Sequence, residues 1–396
     1  MKHLIWLAAL AACGDNLQLA PDAAPPDAAP PDAPAFAEAP HGQAPQVKSG
    51  GGAVLATPKI VPIFFTGDDA IQAQTEQFLT QLAASPYWTT TTHEYGVGAL
   101  TIAPTIVSTD TPPTSDQMLQ TWLAAQLDGT HAGWPAFDPN AIYSVFLPDG
   151  VTLSTPFGDS CSAFGAYHDE APGTQNTKIV YALMPRCQGG IDSLTVSTSH
   201  EFIEAVTDPH PESDPGYQLV DDAHIVWEFA PGGEVGDMCE FVGLAPQRLV
   251  GTFAVQRTWS NVSAAAGHDP CVPALSTPYV SAAPMLTDDA SFDDGSGMMK
   301  TTKAVKIPVG MTKTIDIALY SDAPTADWTV KAIDAAQLYG SPKELSFTWD
   351  KTTGNNGDVL HLTITRVSAG MGGSEFLISS RPSGVSDSIW FGYVSD

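Results

Sequence analysis

Positive charge is what this chain has least of. Its 396 residues include 16 Lys and Arg against 44 Asp and Glu, a formal net charge of 16 − 44 = −28. A polyanion of that size is repelled by phosphate backbones, which argues against nucleic acid as a partner. It argues equally against a polybasic grip on anionic lipid. Long hydrophobic runs are also missing: no stretch reaches the roughly 18 apolar residues of a spanning helix. The few cysteines, 5 in all, include no Cys-x-x-Cys, so a zinc ribbon is not expected. There is no Gly-x-Ser-x-Gly either. Without that elbow, Ser154, Ser160 or Ser197 with His168 or His200 makes a serine triad only on paper. What is plentiful is glycine and proline, 34 + 33 = 67 residues, which predicts many turns. The hydrophobic content of 43% suffices for a core, and the length predicts two or three domains.

The chain opens with a short basic pair, Lys2 and His3, and then a continuous apolar stretch, Leu4 to Ala12. That is the length of a signal-peptide core. Leu10-Ala11-Ala12-Cys13 resembles a bacterial lipoprotein box, which makes residues 1–12 a signal peptide and Cys13 the lipidation site. The resemblance extends to sorting. Gly14 after the cysteine, rather than Asp, implies export to the outer membrane. An acylated Cys13 is a durable anchor, since each buried CH₂ contributes about 0.8 kcal/mol. Residues 13–52 read as a linker. Within it, PDAAPPDAAPPDAP at 21–34 repeats a proline-stiffened, self-repelling unit. Ser49-Gly50-Gly51-Gly52 forms its hinge.

Residues 53–275 alternate strand and helix patterns, predicting an α+β domain with a central sheet. Lys59 to Phe65 reads as a buried strand. A turn at Thr66-Gly67-Asp68 leads into a helix over 69–84, with Ile71, Phe78, Leu79 and Leu82 on one stripe. Gly98 to Val107 looks extended. Ser115 or Asp116 caps a helix carrying Met118, Leu119, Trp122, Leu123 and Leu127 at helical spacing. Ile142–Leu147 and Ile179–Met184 are further strands. Over 276–396 helical periodicity gives way to short alternating runs separated by turns, which predicts an all-β sandwich of immunoglobulin-like type. Asp293-Asp294-Gly295 and Asp350 to Asp358 read as ordinary turns, since neither has the full spacing of a calcium loop. An even set of four cysteines in an exported chain favours two disulfides. Of the three pairings, Cys161–Cys187 and Cys239–Cys271 close the shortest loops and are preferred.

The chemistry concentrates in Ser199-His200-Glu201-Phe202-Ile203-Glu204-Ala205-Val206-Thr207-Asp208-Pro209. At about 100° per residue, Glu204, Asp208 and Glu201 fall within about 100° of His200, while Phe202, Val206 and Ile203 lie on the far side. Pro209 ends the helix. His-Glu-x-x-Glu is close to His-Glu-x-x-His, in which residues one turn apart ligate zinc and the intervening Glu activates water. Here His200 and Glu204 are the candidate ligands and Glu201 the candidate general base. A third ligand must come from elsewhere: Glu234 or Asp237 in Glu234-Val235-Gly236-Asp237-Met238-Cys239, or His168. Carboxylates with one imidazole suit zinc or calcium alike. His210, His224 and His268 lack partner spacing and read as surface residues. Trp227-Glu228-Phe229 reads as core.

In this order, Cys161, Tyr167-His168, Cys187, the His200 segment, the Glu234–Cys239 segment, Trp259-Ser260-Asn261 and Cys271 resemble the phosphate-induced protein 1 (EXORDIUM-like) family over about residues 55–275. That resemblance implies secretion and supports both disulfides. It does not imply a defined activity. The His-Glu helix is zincin-like, with one departure: Glu204 stands where zincin peptidases have a second histidine. The expectation is a lipid-anchored, metal-dependent hydrolase, a zinc metallopeptidase. The competing expectation is a non-enzymatic surface lipoprotein that binds a glycan or an envelope protein.

Overall fold

The computed structural model describes residues 36–243, 245–276, 278–293, 299–370, 372–381 and 388–396. The segment expected to be a signal peptide, Cys13 and the proline-rich repeat lie outside the described residues, as does part of Asp293-Asp294-Gly295. The chain is of mixed helix and strand. Its N-terminal part is built on a sheet in which Lys59–Phe65 lies one strand in from an edge. That strand pairs in parallel with Thr101–Ile102 and Ile106–Ser108 on one side and with Ala141–Phe146 on the other. Lys178–Met184 continues the sheet in parallel, and Tyr167–Pro172 closes it as an antiparallel edge.

Strand alternation sorts side chains to two faces. Phe64, Ile142, Ala182 and Met184 join the core beneath the helices Asp69–Ala84 and Gly190–Thr207. Ile63, Phe65, Tyr143, Val145 and Leu183 pack with Leu119 and Leu123 of the helix Asp116–Gln126 on the other face. The same parity decides where the edge strand aims its side chains. His168 lies opposite Ala182 and shares its face, that of the helix Gly190–Thr207, while Tyr167 packs with the other core.

Two details differ from the sequence reading. Met118, placed on the helical stripe, is 52% exposed. It falls in the first turn, before the helix reaches the sheet. Asp68 makes no capping bond; its carboxylate accepts from Arg186 at 3.0 Å instead. Ser115 does cap the second helix, its hydroxyl accepting from the Met118 amide at 3.3 Å.

The strands described between residues 280 and 395 form two sheets. One has the strands Val280–Pro284, Thr312–Ser321, Val359–Arg366 and Leu345–Trp349, all antiparallel. The other runs from Asp288–Asp293 through Met299–Lys306, Ser388–Ser395, Ser374–Arg381 and Trp328–Asp334 to Thr353–Gly354, with one parallel pair. Inward residues such as Trp328, Val330, Leu362, Ile364, Phe376 and Ile378 are at most 1% exposed. The Trp390 indole donates to Ser281 across the sheets at 2.6 Å. The turn at Asp350 is an ordinary one, its carboxylate accepting from the Lys351 and His361 amides.

The two parts share a core. Trp227, placed in the core by the sequence reading, is 2% exposed and meets Phe391 with ring centroids 4.9 Å apart and Trp390 at 6.1 Å. Both expected disulfides are formed, Cys161–Cys187 and Cys239–Cys271.

Candidate functional site

The site is organised around the C-terminal half of the helix Gly190–Thr207. Phe202, Ile203 and Val206 are fully buried in the sheet-side core, each contributing roughly 1.5–3 kcal/mol by leaving water. The opposite flank is also buried: His200, Glu201 and Glu204 are 6%, 4% and 2% exposed. Burying imidazole and carboxylates together is costly without exact partners, and the surrounding segments supply them. Asp208 does not continue the helical flank. The helix ends with its amide bonded to the Glu204 carbonyl, and its carboxylate turns to the Gly216 amide and Gln218 amide group, both at 2.7 Å. Pro209 lacks a donor and helps end the helix there.

Two imidazoles face this flank. His200 Nδ1 lies 3.1 Å from Gln256 Oε1, and Gln256 Nε2 donates to the Gly236 carbonyl at 2.7 Å. With its NH₂ committed to Gly236, Gln256 presents an acceptor to His200, so Nδ1 carries the proton. His200 Nε2 is therefore left facing Glu204 Oε2 at 3.1 Å and Asp237 Oδ1 at 3.4 Å. The second imidazole, His168, comes from the edge strand. Its Nε2 donates to the Asp208 carbonyl at 3.2 Å, and its Nδ1 faces Glu201 Oε2 at 3.4 Å and Glu204 Oε2 at 3.8 Å.

The loop that carries Glu234 and Asp237 is drawn against the helix. The Asp237 amide donates to Glu204 Oε1 at 3.0 Å, which leaves Oε2 for the two imidazoles. Gly236 permits this approach, because a Cβ there would sit 2.7 Å from Glu204 Oε1 and 2.9 Å from His200 Nδ1. The Trp259 amide holds the Val235 carbonyl at 2.9 Å, and Cys239–Cys271 ties the loop to the short strand Cys271–Val272.

Two triads result, each with one donor atom per residue and all within 4.8 Å of one another: His200, Glu204 and Asp237, and His168, Glu204 and Glu234. Every candidate ligand and the candidate base from the sequence reading are thus brought together. The electrostatics are those of excess negative charge. Burial, with the Glu204 charge, pushes Asp237 up to about 7 and Glu234 well above the usual carboxylate range. Burial, with Asp237, raises Glu240 to about 8. Burial alone would raise Glu204 too, but His200 beside it holds it below its ordinary value. Burial works against charge on both histidines, yet the carboxylates, Glu234 foremost at His168 and Glu204 at His200, hold them well above the usual range.

A cleft of about 510 Å³ opens onto this cluster. Phe157, Phe164 and Tyr167 also line it. Tyr167 and Tyr181 both donate to Asp116 at 2.6 Å, which fixes the Tyr167 ring.

The sequence reading did not include Gln256. Its signal is faint: one amide at the end of the buried strand Phe253–Gln256. Other expectations fare differently. The hydroxyls of Ser154 and Ser160 bond to Asp159 and the Leu153 amide, not to either histidine. His210 and His224 are half-buried, against Glu170 at 3.1 Å and Asp221 at 2.8 Å, where surface positions were expected; His268 is exposed, 3.3 Å from Asp322.

No family model matches the chain, and no curated protein matches it. Among solved structures, a conjugative transposon lipoprotein from Bacteroides eggerthii is similar over 30% of this chain and 98% of its own, at 13% identity and a TM-score of 0.19. The titin M3 domain matches 23% of the chain and 85% of its own length, at 11% identity and 0.16. A Bacteroides ovatus GH5 xyloglucanase in complex with a XXXG heptasaccharide matches 23%, at 15% identity and 0.16; the chain spans 17% of that enzyme. Scores this low carry no argument about fold or function.

Proposed function

We propose that this protein is a divalent-cation-dependent hydrolase, acting on peptide bonds and tethered by lipid at Cys13. The zincin-like helix and the EXORDIUM-like resemblance are part of that reading. The observation that carries it is the Gln256 relay. With Nδ1 donating to Gln256, the remaining nitrogen of His200 points at two carboxylates. That is the arrangement of a metal ligand whose tautomer is fixed by an outer partner.

The donor set fits a cation. Bonds near 2.0–2.2 Å place the ligand atoms of one tetrahedron about 3.3–3.6 Å apart. His200 Nε2 is 3.1 and 3.4 Å from its two carboxylate oxygens. Glu234 Oε1, 3.6 Å from His168 Nε2, accepts no hydrogen bond among the described residues. His200, Glu204 and Asp237 would hold the ion. An ion so held polarises a carbonyl and acidifies water.

The chain's own groups do the rest. Glu201 takes a proton from the attacking water as its oxygen bonds to the carbonyl carbon. It then delivers that proton to the amide nitrogen as the C–N bond breaks. His168, 3.4 Å from Glu201, orients that carboxylate. The substrate class rests on the edge strand. Tyr167, His168 and Asp169 line the cleft, and an edge strand can pair with an extended peptide. The test is Glu201→Gln assayed on denatured casein. The variant should retain its cation content and lose about 10²–10⁴-fold in rate. Cleavage at the wild-type rate would remove Glu201 as the base.

A further inference from the structure

That reading uses Glu204 and His168 but leaves Glu234 without a role, and the three together form a second triad built as closely as the first. His168, Glu204 and Glu234 bring three donor atoms within 4.8 Å, from the edge strand, the helix and the following loop. His168 Nε2 lies 3.6 Å from Glu234 Oε1, and Nδ1 lies 3.8 Å from Glu204 Oε2. Glu234 is 9% exposed, and its Oε1 is buried with no hydrogen bond among the described residues. The nearest imidazole nitrogen already donates to the Asp208 carbonyl. A buried carboxylate oxygen aimed at a histidine and accepting no hydrogen bond is placed to ligate a cation.

Glu201, Glu204, Glu234 and Asp237 each find their ion-pair partner in one of the same two imidazoles. A cation held by His200, Glu204 and Asp237 leaves Glu234 facing His168 alone.

We infer that the site holds two divalent cations, one at His200, Glu204 and Asp237 and the other at His168, Glu204 and Glu234, with Glu204 Oε2 shared between them. Glu204 is suited to the sharing, because its Oε1 is held by the Asp237 amide while its Oε2 faces both imidazoles. The inference rests on the hydrolase reading for the first ion and extends it. Paired ions can clamp the two oxygens that change bonding in a displacement.

The experiment is cation counting on the full chain. Protein stripped with chelator is saturated separately with Zn²⁺, Mn²⁺ and Ca²⁺, freed of excess and analysed by inductively coupled plasma mass spectrometry. The Mn²⁺ sample is also examined by electron paramagnetic resonance. At least one ion should reach two per chain, and Mn²⁺ should give a spin-coupled spectrum at two equivalents. Glu234→Gln, which keeps size and shape, should drop the count to one and abolish the coupling. Saturation at one per chain with all three ions overturns the second position and leaves the hydrolase reading standing. No binding of any of them overturns both.

Discussion

A single amide decides which nitrogen of His200 is available. Gln256 accepts from Nδ1 because its NH₂ is bonded to the Gly236 carbonyl, and its own amide is anchored on the Ser199 hydroxyl at 2.9 Å. The Tyr87 hydroxyl in turn donates to the Gln256 carbonyl. Gln256→Leu keeps the bulk and removes both polar contacts. His200 then loses the partner that holds its ring and tautomer. Outer partners of metal-binding histidines are worth about 10–100-fold in affinity. The variant is therefore expected to bind Zn²⁺ about 10–100-fold more weakly, by competition with a chromophoric chelator, with an unchanged far-ultraviolet circular dichroism spectrum. Unaltered affinity would mean that Gln256 does not set the ligand atom.

At the level of elements, the site joins one helix, one edge strand and one disulfide-tied loop. The helix was legible in the sequence because its polar residues repeat within one turn and its apolar residues occupy the other side. What the sequence did not reveal is that both sides are buried, since a carboxylate-rich flank ordinarily reads as solvent-facing. His168 entered only as a candidate, because its aim depends on the register of Tyr167–Pro172 against Lys178–Met184. That register is set by residues far apart in the chain. Gln256 stayed hidden for the same reason: nothing near it in sequence marks a partner 56 residues away. The loop is the element most open to test. Cys239–Cys271 spans 32 residues and anchors the segment that carries Glu234 and Asp237. Replacing both cysteines by alanine should cost roughly 2–4 kcal/mol in urea unfolding. It should also weaken cation binding, because the Asp237 amide no longer sits reliably against Glu204. Replacing Cys161 and Cys187 should cost similar stability and leave cation affinity near wild type. Equal losses of affinity in the two variants would show that the loop is held by its packing and not by its disulfide.

The whole molecule concentrates buried acidity, and its stability should respond to pH accordingly. Burial raises Asp169 to about 6, Asp237 and Glu375 to about 7 and Glu240 to about 8. A carboxyl whose folded pKa exceeds its unfolded value binds a proton on folding between the two. Stability therefore falls as pH climbs through that window. His168 and His200, held above their ordinary range, act with the same sign: their contribution is complete below the unfolded value and is lost as pH rises through the folded one. Asp138 and Asp221 are lowered, by the Lys59 contact and, against burial, by His224; they act oppositely, but only as pH falls below about 4. In chelator, then, the urea midpoint should fall steadily from about pH 5 to about pH 8. Glu375 lies in the C-terminal sheets, and those sheets share a core with the site domain through Trp227, Trp390 and Phe391. One cooperative transition should therefore report both groups. Saturating Zn²⁺ should flatten or reverse the slope, since cation ligands bind as carboxylate and neutral imidazole and need no proton. A midpoint in chelator that rises with pH across this range would mean that the chain already neutralises its buried acids. The case for a resident cation would lose its physical basis.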